Sequence, residues 1–264
     1  MFRLSLLFVL FAMAAMAQVP RKKLLAIGMS NGYQHDSVSH AMATLWKLGQ
    51  ESGQWDTFIR TDTQLITNKK LEGNAKNLSY FDAIFFYTTG DLKLDEEQKA
   101  AFVSFIRDQG KGFLGAHSAT DTYYDWPEYG EIIGGYFDHH PWHQQVGIVV
   151  EGSDFPAMRH FPGRIEVTDE IYQFKNYSRD RVRVLMSLDA SSVDLTKKNV
   201  NRTDKDFAVT WARQYGKGRV FYSSLGHRES VWDRPDIQRM WTEGVRWAMG
   251  LSEGDARPRP KKAD

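Results

Sequence analysis

The amino-acid sequence predicts an α/β protein with a mostly parallel central sheet and an added β-rich extension. Up to residue 118, short apolar runs alternate with helical patterns, which is typical of βαβ units. Residues 145–224 contain several β-rich runs without comparable helices between them, and this favours a curled or antiparallel extension. Hydrophobic residues make up 42% of the chain, enough for a large core, and the chain has no cysteine. Disulfides, thiolate metal sites and a cysteine nucleophile are therefore excluded.

Periodicity and end signals place the individual elements. The helix predicted at 95–109 has Phe102, Phe105 and Ile106 on its apolar face and Gly110 as its stop signal. The helix predicted at 36–50 starts at Asp36 or Ser37, both suitable caps. Further strands are predicted at 23–28, 55–60, 81–87 and 112–118, and β-rich runs at 145–150, 164–174 and 182–188. A helical piece is predicted at 129–136, a hairpin at 207–213 and 218–224, and a closing helix at 235–249.

The two ends of the chain are predicted to lie outside the folded domain. Residues 1–17 combine a basic start, an apolar stretch and a small-residue cleavage site, and so form a secretory signal peptide. We therefore expect a secreted or periplasmic protein with one domain over 18–252 and a disordered tail over 253–264. A membrane anchor is the alternative, although the apolar run is shorter than a bilayer span needs. Without Arg3 the chain has 33 basic and 33 acidic residues, which gives no electrostatic case for nucleic acid.

Several of the eight histidines follow predicted strands. His35 comes after the first strand, and His117 and His227 end two later ones. The segment at 139–143, with sequence HHPWH, supplies more histidines, and Pro141 predicts that it is a loop. In open α/β sheets, ligands bind beyond the carboxyl ends of the strands. We therefore expect these imidazoles to gather in one pocket.

His117 lies in the sequence GAHSA at 115–119, which resembles a nucleophile elbow, the strained turn that exposes one side chain above a sheet. At this position a histidine can be a metal ligand, a general acid or base, or a hydrogen-bonded structural residue. A serine hydrolase is a further alternative. It would use the neighbouring Ser118 with His227 and Glu229.

The HRE sequence at 227–229 resembles the base and orienting carboxylate of the Cys-His-Glu triad in class I glutamine amidotransferases. Imidazole cannot replace thiolate in an acyl-enzyme, so amide hydrolysis by that route is excluded. His35, His117 and His227 could instead bind a divalent metal such as Zn, Fe, Mn or Ni. The alternative is metal-free proton transfer by His117 and His227 near neutral pH.

Other residues are candidates for substrate contact. Strand alternation puts Glu170 and Tyr172 on one face, where Glu170 is a ligand, a base or a strand-edge carboxylate. His140 and His143 either bind substrate or stabilise their loop. Aromatic faces beside polar donors commonly hold sugar rings. The candidates of this kind are Trp126, Trp142, Asp121, Tyr172 and Arg228.

Taken together, these stretches resemble the trehalose-utilisation (ThuA-like) family, a cysteine-free branch of the class I glutamine amidotransferase-like fold. The resemblance is carried by GAHSATD at 115–121, YDWP at 124–127, IGGYF at 133–137, HPWH at 140–143, TDEIY at 168–172, and GKGRV at 216–220 through LGH at 225–227. It implies a flavodoxin-like three-layer sandwich and a role in the conversion of disaccharides, often beside sugar oxidoreductases. It also marks His117, His140, His143, Glu170 and His227 as motif positions.

The expected function is an exported carbohydrate-active enzyme that acts on a glycoside or an oxidised (3-keto) sugar. A keto group acidifies the adjacent C–H, so a His or Glu base with a metal or imidazolium at the oxyanion could drive enolisation. His117, His227 and Glu170 are the expected catalytic residues, and a small sugar or glycoside is the expected partner. The alternative is a non-catalytic sugar-binding protein that uses the same cleft.

Overall fold

A computed structural model of the chain describes residues 20–73 and 76–261, and the predicted signal peptide lies outside these residues. Nine strands of the described chain form one sheet. The strands are β1 (Lys22–Ser30), β2 (Trp55–Arg60), β3 (Ala83–Thr89), β4 (Gly112–Ala116), β5 (Tyr136–Val150), β6 (Arg164–Lys175), β7 (Arg183–Leu188), β8 (Ala208–Tyr215) and β9 (Gly218–Ser223). Their order across the sheet is β2-β1-β3-β4-β9-β8-β7-β5-β6.

The sheet is mixed, so the expectation of a mostly parallel sheet is not confirmed. In this order, the four pairings from β2 to β9 are parallel. Every pairing from β9 to β6 is antiparallel. The β-rich extension expected after residue 145 is therefore half of the same sheet. The reason is that β8–β9 is a tight hairpin and β5–β6 a long one, and such connections force antiparallel neighbours.

Five helices cover the two faces of the sheet in the described chain: α1 (Ser37–Ser52), α2 (Glu96–Arg107), α3 (Pro127–Ile133), α4 (Glu229–Trp232) and α5 (Pro235–Ala248). On one face, α1 and α5 pack with residues such as Leu24, Phe85 and Leu114. On the other face, α2 and α3 pack with residues such as Ile84 and Phe113. These layers agree with an α/β fold built around a large sheet. No helix of the described residues is long and apolar enough to cross a bilayer.

The HHPWH segment is part of strand β5, not the loop that Pro141 predicts. The register of β5 against β6 shifts between Phe137 and His139 and again between His139 and Trp142, so Pro141 lies in an irregular stretch. Beyond this stretch, β5 pairs with β7 only at 148–150. A proline without an N–H is tolerated where one strand edge is unpaired or bulged, and this explains the error.

The tail predicted to be disordered at 253–264 is packed against the domain over at least 253–259. Glu253 accepts a hydrogen bond of 2.9 Å from Arg219, and Trp247 donates its indole N–H to Gly254 O at 3.1 Å. Arg259 donates to Asp154 at 3.0 Å. Two of these partners, Arg219 and Asp154, are distant in the sequence, so local composition does not reveal them.

Candidate functional site

Three of the expected histidines meet at the carboxyl edge of the parallel strands. His35 follows β1, His117 follows β4, and His227 follows β9. The ring centroids are 4.8 Å apart for His35 and His117, 5.3 Å for His35 and His227, and 5.2 Å for His117 and His227. These strands are parallel and close in the sheet, so their ends lie at one edge and their loops share one space.

His117 is fully buried and lies in a strained turn. Its φ of 43° is in the left-handed region, which non-glycine residues rarely adopt and which often marks functional sites. Its Nδ1 lies 2.6 Å from Ser224 O, and because a carbonyl only accepts, Nδ1 carries the proton. Burial and the neighbouring His35 keep the pKa of His117 well below its usual value. The ring is therefore neutral, with the lone pair of Nε2 towards His227.

His35 is also neutral and is only 8% exposed. Burial, followed by the proximity of His227, lowers its pKa to about 4. Its Nδ1 is buried and has no hydrogen-bond partner among the described residues. A buried polar atom without a partner is costly, and such an atom is often explained by an ion or ligand.

The buried Glu170 and the half-buried His227 form a pair beside these rings. Glu170 Oε2 lies 2.8 Å from His227 Nδ1, and Glu170 Oε1 lies 3.2 Å from His140 Nδ1. The same His227 Nδ1 lies 3.2 Å from His117 Nε2. Burial disfavours the charge of each partner, but their mutual attraction outweighs it: the pKa of Glu170 is lowered and that of His227 is raised. The pair therefore favours an ionised Glu170 and a protonated His227.

The loop that carries His227 is held by Asp169, which the sequence did not mark as a site residue. The buried Asp169 accepts the backbone N–H groups of Gly226 at 2.6 Å and Arg228 at 3.2 Å. Burial raises the pKa of Asp169 to about 6. Asp169 thus holds the main chain on both sides of His227, while the next residue, Glu170, contacts its ring. The only signal in the sequence was its position beside Glu170 in the TDEIY stretch.

His35, His140, Glu170 and His227 line a pocket of about 270 Å³. Its wall consists of Tyr33, His35, Asp121, Phe137, His140, His143, Glu170, Tyr172 and His227. Tyr172 stacks on His117 at 4.3 Å between ring centroids, so His117 lies behind the wall. Burial raises the pKa of Asp121, whose carboxylate accepts a 2.6 Å hydrogen bond from Tyr124. The pocket therefore combines aromatic faces with polar groups.

Three expected substrate contacts lie elsewhere. Trp142 is fully buried in the core, packs on Phe207 and donates its indole N–H to Asp194 O at 3.0 Å. Trp126 packs against Phe102 on the α2 side. Arg228 is exposed and is not part of the pocket wall. Strand and turn patterns could not show where these long side chains would find their packing partners.

The serine-hydrolase alternative gains no support from the geometry. Ser118 is buried, and its Oγ has no hydrogen-bond partner within the described chain, so no described base contacts it. Glu229 is exposed at the start of α4, whereas Glu170 occupies the place beside His227. A triad of Ser118, His227 and Glu229 is therefore not formed.

The sequence model of the trehalose-utilisation (ThuA) family matches residues 23–248. The chain belongs to this family. ThuA membership indicates a sugar-related role and a small sugar as ligand. It also confirms the resemblance drawn from the sequence motifs. No protein of curated function matches the chain.

Solved structures share the fold of this ThuA protein at low sequence identity. A ThuA-like protein from Bacteroides uniformis is 23% identical, with a TM-score of 0.72 over 89% of this chain and 94% of that one. A ThuA-like protein from Parabacteroides merdae is 17% identical, with a TM-score of 0.69 over 87% of this chain and 90% of that one. At such identities the likeness extends to the fold alone.

Proposed function

We propose that this ThuA protein is an exported enzyme that converts a glycoside or a 3-keto sugar by acid–base chemistry assisted by a divalent metal. The observation that carries the proposal is the convergence of three imidazoles and one carboxylate at a single pocket. His35, His117 and His227 are close enough to share an ion, with all three ligand atoms within 4.8 Å of one another. The export part rests on the signal-like residues 1–17.

The donor set fits a metal such as zinc. The Nδ1–H of His117 is bonded to a backbone carbonyl, as is typical of metal-bound histidines, which leaves Nε2 available as a ligand. His35 Nδ1 is buried without a partner. The low pKa values of His35 and His117 mean that no proton has to leave these rings at neutral pH. A metal held here would supply a Lewis acid for a sugar oxygen.

The pair of Glu170 and His227 would transfer the proton that leaves the sugar C–H. Glu170 is 5% exposed and ionised, and it lies at the wall of the pocket, where it can accept a proton from a C–H beside a keto group. His227 stabilises its charge at 2.8 Å and can pass the proton on. His140, at 3.2 Å from the other carboxylate oxygen, holds Glu170 from the opposite side.

The remaining wall would orient the sugar. Tyr33, Phe137 and Tyr172 supply faces against which the C–H groups of a sugar ring can stack. Asp121 and His143 supply polar groups for hydroxyls. The wall thus combines aromatic faces with several polar side chains, which suits a ligand with both C–H faces and hydroxyls.

The test is a substrate screen on protein purified without an affinity tag. Glycosides and their 3-keto forms are assayed with and without added Zn²⁺ or Mn²⁺, and bound metal is measured by mass spectrometry. We expect about one metal per chain, loss of turnover on chelation, and loss of both metal and turnover in His117→Ala. His139→Ala is the control, because His139 belongs to the HHPWH segment beside the site but does not line the pocket.

Two outcomes would contradict the proposal. Full turnover in both His117→Ala and His227→Ala would exclude the site as the catalytic centre. Tight sugar binding without turnover on any glycoside or 3-keto form would favour the non-catalytic sugar-binding alternative.

A further inference from the structure

A second cavity adjoins the histidine pocket. It has a volume of about 460 Å³ and lies between the start of α1 and the carboxyl ends of β1 and β2. His35 belongs to the walls of both cavities. The loop before α1 therefore presents Tyr33 to the histidine pocket and Gln34 to the second cavity. The two spaces are neighbours across a single imidazole.

The wall of the second cavity is mainly apolar. Val38, Met42 and Ala43 come from α1, and Ile59 comes from β2. Ile59 is 38% exposed although it is a large aliphatic residue at the end of a strand. Polar residues also line the cavity, among them Gln34, Asp36 and Arg60, and Arg60 already donates to Ile59 O at 2.7 Å. The cavity thus offers carbon surface together with polar groups.

The sizes of the two cavities limit what each can hold. Sites that bury a drug-sized ligand usually measure about 300–1,000 Å³. The histidine pocket, at about 270 Å³, is below this range and suits one sugar ring. A glycoside needs additional space for the group on the other side of its glycosidic bond. The second cavity, at about 460 Å³, lies next to the histidine pocket and has this space.

We propose that the second cavity binds the aglycone of a glycoside whose sugar ring occupies the histidine pocket, and that this aglycone is an aromatic ring. The inference rests on the proposed function, because it assumes that a sugar binds beside His35. An aromatic ring fits better than a second sugar, because sugar hydroxyls require polar partners on several sides. Met42 adds a flexible, polarisable contact that suits an aromatic face.

The test compares phenyl and methyl D-glucopyranosides, both anomers and their 3-keto forms, by titration calorimetry on the full protein. The phenyl forms should bind about tenfold or more tightly, because burial of the ring removes apolar surface from water. Ala43→Trp fills the cavity and Ile59→Asp places a charge in its wall. Both should abolish the preference for phenyl and leave the affinity for the methyl forms unchanged.

Lys47→Trp is the matched control, since Lys47 is an exposed residue one turn further along α1 and does not line the cavity. It should keep the preference for phenyl. Equal affinity of wild type for phenyl and methyl forms would overturn this inference alone. A preference for phenyl over methyl glucosides that persists in both Ala43→Trp and Ile59→Asp would also overturn this inference alone. Failure of every glucoside to bind would overturn the proposed function, and with it the inference.

Discussion

At the scale of single residues, the protonation of the imidazoles decides what the site can do. His117 has its proton on Nδ1 because Ser224 O accepts it at 2.6 Å, and this leaves the lone pair of Nε2 directed towards His227 Nδ1 at 3.2 Å. His35 is kept neutral by burial, with a pKa of about 4. His227 differs, because Glu170 raises its pKa. Two neutral rings and one charged pair thus occupy one site, and His227 belongs both to the possible ligand set and to the proton-carrying pair.

Glu170→Gln removes the charge that supports His227 while keeping the size of the side chain. We expect the pKa of His227 to fall, because Glu170 is the group that raises it. Turnover should decrease by about 10²–10⁴-fold. The pKa is measured by NMR titration and turnover in the substrate screen. Glu166→Gln, at an exposed position on the same strand, is the control and should change neither. Unchanged turnover in Glu170→Gln would exclude Glu170 as the base.

At the scale of elements, the loop after β9 places His227. Gly226 has a φ of +120°, and its carbonyl oxygen accepts hydrogen bonds from Ser37, Tyr87 and Trp232. Asp36 or Ser37 was expected to cap α1. Asp36 occupies the cap position without a side-chain hydrogen bond, and the Ser37 hydroxyl contacts the loop after β9 instead. The start of α1 and the end of β9 are therefore linked at the site.

Gly226→Ala should destabilise the protein and displace His227. A Cβ at this position would lie 2.6 Å from Trp232 Nε1, in addition to the cost of a positive φ. The expected loss of unfolding free energy is about 2–4 kcal/mol, measured by urea unfolding. Gly250→Ala is the control, since Gly250 also has a positive φ but no atoms within 4 Å of the added Cβ. Its loss should be about 1 kcal/mol. Equal losses would refute the steric argument.

At the scale of the whole molecule, the antiparallel half of the sheet both completes the site and carries its own ion-pair network. β5 and β6 supply His140, His143 and Glu170 to a pocket whose other histidines come from the parallel half. Further along, Arg179 donates to Glu151 and Asp206 at 2.8 Å, with all three side chains largely buried. Loss of one partner from such a network strongly destabilises the folded protein, because it leaves a buried charge without a counter-ion.

The stability of this network should depend on pH. Burial alone would raise the pKa of Glu151, but Arg179 lowers it below the usual 4.5. Because the folded state has the lower pKa, the contribution of Glu151 is present above about pH 4.5 and is lost as the pH falls through the folded value. Glu151→Gln should cost about 1–3 kcal/mol at pH 7 and weaken the acid dependence. Chemical unfolding between pH 7 and 3 measures both.

Glu253→Gln is the control for this prediction. Glu253 also pairs with an arginine, Arg219, but its side chain is 85% exposed. Exposed pairs contribute little, so the change should be at most about 0.5 kcal/mol. A similar effect of both variants would show that burial does not set the strength of the Arg179 network.

Local patterns predicted much of the fold. The strand at 55–60 is observed as β2, and the helix predicted at 95–109 is α2, which begins with a capping box between Asp95 and Gln98. The predictions were wrong where contacts with residues distant in the sequence outweighed the local pattern. Pro141 indicated a loop, yet the pairing of β5 with β6 holds it in an irregular strand. Trp142 looked suited to a sugar, yet the core formed with Phe207 buries it.

The sequence by itself determined the family, the α/β class, the types and approximate bounds of most elements, and the positions of the histidines at strand ends. These features depend on neighbours within a few residues, which periodicity and motifs record directly. Only the tertiary structure decided the mixed pairing of the sheet, the contact of Glu170 with His227 and the place of Asp169 behind that loop. The contacts of Asp169 and Glu170 join residues more than fifty positions apart, and they depend on packing that no local pattern contains.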